Sequence, residues 1–220
     1  MAELILALDL PTRGEALRLL DRLPALKWVK VGSILMTAEG PGLVRELVGR
    51  GLAVFLDLKW HDIPNTVAGA VGAAAELGVQ LATVHASGGA EMLQAASAQA
   101  RSVALVGVTV LTSQPATDLP NGVSVADLAE QRARLAMDCG LSGIVCSVQE
   151  IQRIRTAVGP KALIVVPGIR RSQDDQGDQR RTAGPAEAVR LGATHLVVGR
   201  PILRSADPAG TLAELLGELA

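Results

Sequence analysis

Apolar residues in this chain gather into eight short runs, separated by stretches with helical spacing. Four of the runs follow a glycine that ends a helix-like stretch. Gly51 precedes Leu52–Leu56, Gly78 precedes Val79–Val84, Gly140 precedes Leu141–Val145, and Gly192 precedes Ala193–Val198. Glycine suits the left-handed position just past a helix. The other four runs are Leu4–Leu8, Trp28–Val31, Val103–Val110 and Ala162–Val166. The runs are continuous rather than alternating, which predicts strands buried on both faces of a parallel sheet. Helical spacing covers Gly14–Leu23, Gly42–Val48, Val67–Leu77, Val125–Met137, Val148–Val158, Pro185–Arg190 and Ala209–Leu219. This repeated alternation of strand and helix predicts an α/β fold of the (β/α)8 barrel type. No linker, charge run or low-complexity tract divides the chain, so residues 1–220 read as one domain. Arg170–Gly184 holds too many polar residues and glycines for a helix, and reads as one long mobile loop after strand seven.

Composition narrows the function. The chain is 49% hydrophobic, enough for a sizeable core, and its net charge is -1. With a pI of about 6.3 it lacks the basic footprint of a nucleic-acid binder or an anionic-membrane binder. The only aromatic residues are Trp28, Phe55 and Trp60, so no stacking platform for single-stranded nucleic acid is expected. No apolar run approaches the roughly 18 to 20 residues of a membrane span. Met1-Ala2-Glu3-Leu4 lacks a basic leader region, so no secretory signal is expected. Cys139 and Cys146 have no metal-type spacing and read as two buried thiols of a reducing, cytoplasmic compartment.

Barrel enzymes do their chemistry at the C-terminal strand ends, and often bind phosphate after strands seven and eight. Polar residues recur at those places here. Asp9 ends strand one, although a cap of the first helix is an equal reading. Lys30 lies inside an apolar strand, where an unpaired ammonium is costly, so pairing with Asp57 is expected. His85, before Gly88-Gly89, reads either as part of a βα turn or as a site residue, whereas His61 and His195 read as structural or solvent-facing. Thr112 follows strand five. Arg170 follows Pro167-Gly168-Ile169, and Arg200 follows Gly199. Glycine lets backbone approach an anion and arginine supplies a bidentate fork, so phosphate is expected at these two ends.

The most informative segment is Asp57-Leu58-Lys59-Trp60-His61-Asp62-Ile63-Pro64-Asn65-Thr66. Residues two apart on a strand share a face, so Asp57 and Lys59 leave strand three on one side. Pro64 suits the first turn of a helix and keeps Ile63 extended. Two carboxylates and an ammonium crowded at a strand end mark functional sites, though a surface ion-pair cluster has the same local look.

The whole string resembles the DxKxxDIPNT signature of the orotidine 5'-monophosphate decarboxylase family, bacterial type. The resemblance extends to Ala7-Leu8-Asp9, Lys30-Val31-Gly32, Val84–Gly89, Leu111-Thr112-Ser113, Pro167–Arg170, Gly177–Arg181 and Gly199–Ile202. It implies decarboxylation of orotidine 5'-monophosphate (OMP) to uridine 5'-monophosphate (UMP) without a cofactor or metal. Lys59 would be the proton donor, flanked by Asp57 and Asp62, with Lys30 closing an alternating chain of charges. Asp9 and Lys30 would hold ribose hydroxyls and Thr112 the pyrimidine. Arg170, Gln179, Gly199 and Arg200 would seat the 5'-phosphate, with Pro167 lining the site. Asp62 and Thr66 would reach the neighbouring subunit's site in a homodimer. The sequence departs from the family pattern at Trp60, where Phe is usual, at Arg171, where Pro is usual, and over Thr182–Pro185. Two rivals stand beside this reading. One is a metal-dependent sugar-phosphate decarboxylase or aldol-type enzyme sharing only the Asp-x-Lys-x-x-Asp core. The other is a non-catalytic nucleotide-binding barrel, which would need Arg170 and Arg200 but not Lys59.

Overall fold

A computed structural model describes residues 2–119, 122–171 and 183–219. Eight parallel strands close into a barrel in sequential order. They are β1 (Glu3–Ala7), β2 (Trp28–Gly32), β3 (Ala53–Trp60), β4 (Leu81–His85), β5 (Ala104–Val108), β6 (Gly143–Val145), β7 (Leu163–Pro167) and β8 (His195–Val198). The helices are α1 (Arg13–Asp21), α2 (Ser33–Glu39), α3 (Pro41–Gly49), α4 (Pro64–Glu76) and α5 (Gly89–Gln99), then α6 (Val125–Asp138), α7 (Ile151–Val158), α8 (Pro185–Leu191), α9 (Arg200–Leu203) and α10 (Pro208–Gly217). Gly51, Gly78, Gly140 and Gly192 all take positive φ, as expected of residues that end helices before strands.

Three helices were not apparent in the hydrophobic pattern: α2, the one-turn α9, and α5. Helix α5 buries only Met92, Leu93 and Ala96, and its other positions are mostly small or polar. An apolar stripe that thin gives little periodic signal. Asp9 does not cap α1. Thr12 does, accepting from the Glu15 backbone N–H at 3.3 Å, because Pro11 delays the helix start.

The apolar residues divide into two layers. One fills the barrel: Ile5, Ala7, Phe55, Leu81, Val106, Val165 and Val197. The other, much larger, packs strands against helices, with Leu4, Leu6, Val29, Val54 and Leu56 among its members. Alternate residues of each strand therefore face opposite layers, and both layers are apolar. At the lower end, Trp28 packs edge-on to His195 with ring centroids 5.4 Å apart. His195 is thus a buried structural residue.

The β6–β7 contact leaves no room for a side chain at Gly143. A Cβ on Gly143 would lie 2.1 Å from the Leu163 backbone oxygen. Backbone cannot swing aside as a side chain can. Gly143→Ala is therefore expected to destabilise the barrel by at least about 2 kcal/mol, whereas Gly49→Ala, where a methyl meets nothing within 4 Å, should not. Equal melting temperatures for the two variants would contradict this packing.

Candidate active site

The inward face that buries Ile5 and Ala7 continues two residues on to Asp9. The same step leads from Trp28 to Lys30 to Gly32, from Phe55 to Asp57, from Leu81 to Thr83 to His85, and from Val197 to Gly199. Period-two geometry thus turns an apolar barrel interior into a polar mouth. The mouth opens on a cavity of about 580 Å³, lined below by Phe55, Val108, Val145, Val165 and Val197. Its rim carries Asp9, Lys30, Asp57, Lys59, Leu111 and Thr112 from the first strands round to the fifth. Pro167, Gly168, Arg170, Gly199, Arg200 and Arg204 complete it on the β7–β8 side.

Four charges alternate across the mouth. Lys30 Nζ lies 3.0 Å from Asp9 Oδ1 and 3.7 Å from Asp57 Oδ2. Lys59 Nζ donates to both oxygens of Asp57 at 2.9 Å. The expected Lys30–Asp57 pairing is present, with Asp9 as the nearer partner of Lys30. Asp57 and Lys30 are the withdrawn members, with side chains 12% and 11% exposed; Asp9 and Lys59 are open to the cavity at 48% and 39%.

Simple strand alternation does not by itself place Lys59. The β3–β4 register shifts between Leu56 and Trp60. Within that irregularity Lys59 has φ 51°, a left-handed conformation that costs a non-glycine residue of order 1 kcal/mol or more. Its N–H leaves the ladder and donates instead to Thr83 Oγ1 at 2.8 Å. The same hydroxyl donates to Asp57 Oδ1 at 3.0 Å. Thr83 is fully buried, so its two bonds compete with no water. One side chain from β4 thereby holds both the strained backbone of Lys59 and the carboxylate that Lys59 faces. The sequence reading missed Thr83; a hydroxyl inside the run Leu81-Ala82-Thr83-Val84 was the available signal. It also missed Arg204, which carries no motif.

The other expected residues fall into three groups. Thr112, Pro167, Arg170, Gly199 and Arg200 all line the cavity. Arg170 is buried, and its guanidinium donates to the Ile169 carbonyl at 2.7 Å. Asp62 and Thr66 are not brought to Lys59 in this chain. Both are exposed, and Asp62 Oδ1 accepts from the Ile63 N–H at 2.6 Å, fixing the turn into α4. Gln179, with Gly177–Arg181 and Thr182, lies outside the described residues. The described residues on either side of 172–182 are held in place: the Arg170 N–H donates to the Ala183 carbonyl at 3.0 Å, and Arg171 pairs with Glu214 of α10 at 2.9 Å. Among the described residues, no group of three or more His, Cys, Asp and Glu side chains gathers as a metal site. Cys139 and Cys146 are both buried, and neither is in a disulfide.

His85 ends β4 and belongs to the turn that follows; it is not among the residues lining the cavity. Its Nδ1 accepts from the Ser87 backbone N–H and hydroxyl, and its ring stacks on the exposed His61 with centroids 5.5 Å apart. Burial, and then the positive charges of Arg132, His61 and Lys59, lower its pKa from 6.5 to about 4. The imidazole is thus neutral beside Lys59 at ordinary pH and adds no competing cation to the charge chain.

Comparison with known proteins agrees with this geometry. The profile of the orotidine 5'-phosphate decarboxylase / HUMPS family matches residues 2–215. The chain is 48% identical over 225 aligned residues to orotidine 5'-phosphate decarboxylase of Sodalis glossinidius (strain morsitans), covering 98% of this chain and 89% of that protein. It is 49% identical over 217 residues to the protein of the same name from Enterobacter sp. (strain 638), covering 94% and 88%. The crystal structure of orotidine 5'-phosphate decarboxylase from Lactobacillus acidophilus superposes with a TM-score of 0.90 at 33% identity, over 100% of this chain and 99% of that one.

The lowered pKa of His85 fixes the sign of one pH effect. As pH falls below 6.5 the unfolded chain takes up a proton that the folded imidazole refuses until about 4. Folding stability is therefore lost across that window and changes no further through this group below it. The buried His195, also lowered by desolvation, acts in the same direction. His85→Gln should consequently show a smaller drop in melting temperature between pH 7 and pH 5 than the unaltered chain. An identical drop would contradict the assignment.

Proposed function

We infer the function from the premise that this chain belongs to the orotidine 5'-phosphate decarboxylase / HUMPS family: it converts OMP to UMP and carbon dioxide in pyrimidine biosynthesis, as a carboxy-lyase. The observation that carries this reading is the Asp9–Lys30–Asp57–Lys59 chain at the mouth of a cavity whose opposite rim holds Arg170 and Arg200. Such a cavity suits a small molecule with an anionic tail.

Loss of carbon dioxide leaves an electron pair on C6 of the pyrimidine. Lys59 is the cation placed to meet it. Its ammonium is already oriented, so stabilising the charge requires little reorganisation as it forms. Lys59 then delivers a proton to C6, and the C–H bond replaces the broken C–C bond. Asp57 orients Lys59 and sets negative charge beside the departing carboxylate. Asp9 and Lys30 hold the ribose hydroxyls, and Thr112 the pyrimidine, above Pro167. Arg170, Gly199, Arg200 and Gln179 seat the phosphate. No cofactor takes part in this scheme. Binding energy gathered at the remote phosphate supports the chemistry at C6.

Asp62 and Thr66 are exposed and make no hydrogen bond or ion pair with their own Lys59 among the described residues, and Ile63 between them is 66% exposed. An apolar side chain so displayed beside the mouth suits a second copy of the chain, and an isologous two-fold interface would complete both sites at once. The enzyme is accordingly a homodimer in which Asp62 and Thr66 serve the partner's site. A cytoplasmic location goes with a biosynthetic role; among the described residues no helix is long and apolar enough to cross a membrane.

One experiment tests chemistry and assembly together. The purified protein should turn OMP into UMP in the presence of a chelator, followed by pyrimidine absorbance. Lys59→Ala and Asp62→Ala should each be nearly inactive. Mixed equally and allowed to exchange subunits, they should regain activity, since about half the dimers become mixed and about a quarter of all sites become intact. Near-normal turnover by Lys59→Ala would overturn its role. Verified exchange without recovery would overturn the shared site.

A further inference from the structure

We propose that Arg204 is a specificity-determining residue for the substrate's phosphate, a third arginine added to the seat formed by Arg170 and Arg200. The inference rests on the phosphate seat proposed above. Nothing in the signature motifs singles Arg204 out; the structure places it on the cavity wall beside Arg200.

The local geometry explains how it gets there. Helix α9 is a single turn running Arg200–Leu203, and Arg204 is its C-cap. The Arg204 backbone N–H donates to the Arg200 carbonyl at 3.0 Å, so the turn closes on itself. Residues four apart across a closed turn lie on the same face. Pro201 and Ile202, between them, are buried and anchor the turn against the barrel, while Arg204 is exposed. Two guanidinium groups are thus presented to one side of the mouth from a rigid scaffold. No hydrogen bond or ion pair engages the Arg204 side chain among the described residues. Its fork remains available to a ligand.

The charge layout makes the same point. Lys30 and Lys59 are interleaved with Asp9 and Asp57 on the β1–β3 side of the mouth. On the β7–β8 side the cavity wall carries three arginines and no carboxylate among the described residues. A phosphate monoester brings a charge of about -1.5 to -2 at neutral pH and three acceptor oxygens. Arg170 is buried and meets such a group from the cavity wall. Arg204, exposed where Arg200 is half-buried, meets the outer oxygens. It therefore separates phosphorylated from unphosphorylated nucleosides and contributes to the field that draws the dianion in.

The test is equilibrium binding of UMP and of uridine, which needs no turnover. For Arg204→Ala, UMP should bind about tenfold more weakly at low salt, the weight of one charge-assisted contact. Uridine binding should stay within twofold, Arg204→Lys should recover most of the loss, and the penalty should shrink as salt is raised. Unchanged UMP affinity in Arg204→Ala would overturn the proposal. So would an equal loss for UMP and uridine, which would assign Arg204 to the shape of the site. Should the unaltered chain bind UMP no better than uridine, the phosphate seat itself falls and this inference with it. A protein that discriminates UMP from uridine through Arg204 yet never decarboxylates OMP would overturn the proposed reaction and leave the role of Arg204 standing.

Discussion

A carboxylate withdrawn from water costs several kcal/mol unless cations and donors surround it, and the mouth of this barrel is organised around one such group. Asp57 sits between two ammoniums and a hydroxyl, from Lys30, Lys59 and Thr83. Each partner arrives from a different strand: β2, the far end of β3, and β4. Removing any one leaves the carboxylate short of compensation. The barrel supplies the rigidity that makes the arrangement possible, because parallel strands in fixed register set these side chains at matched heights. Gly32 shows how tightly the space is used: a Cβ there would lie 3.0 Å from Lys30 Nζ and 3.6 Å from Asp9 Oδ1.

The strained turn at Lys59 is the second consequence. A regular β3 would give the Lys59 N–H to the ladder. The register shift frees it, and Thr83 takes it up. Local strain persists only where the surroundings over-determine it. Here one buried hydroxyl, the doubly bonded carboxylate and the helix start at Pro64 all hold the same short segment. The proposed chemistry needs an ammonium that does not wander while charge develops at C6, and this arrangement provides one.

Much of this was legible in the sequence because it follows from simple periodicities. Eight apolar runs, glycines after helices, and the step from apolar to polar at strand ends specify the barrel and its mouth without any knowledge of side-chain packing. Asp57, Lys59, Lys30, Arg170 and Arg200 could be named because charge inside or just beyond an apolar run is costly without a purpose. What could not be read was of another kind. That Thr12 caps α1 and leaves Asp9 to pair with Lys30 depends on where Pro11 lets the helix begin. Helix α5 was missed because small side chains make a weak stripe. Thr83 looks like an ordinary strand residue until the bend in β3 is known. Arg204 carries no motif, and its place on the cavity wall depends on a one-turn helix that no pattern predicts.

The central claim is that Lys59 acts from a position fixed by Asp57 through Thr83, and Thr83→Val tests it most directly. Valine keeps the shape but removes the hydroxyl that bonds both the Lys59 backbone and Asp57. Losing hydrogen bonds to a charged group costs about 1.5 to 3 kcal/mol, which corresponds to a fall in kcat of roughly 10- to 100-fold if the loss is felt at the transition state. That fall should appear in a folded protein that still binds UMP within twofold of the unaltered chain, with Thr83→Ser restoring most of the rate. A kcat within twofold of the unaltered enzyme in a folded Thr83→Val protein would contradict it.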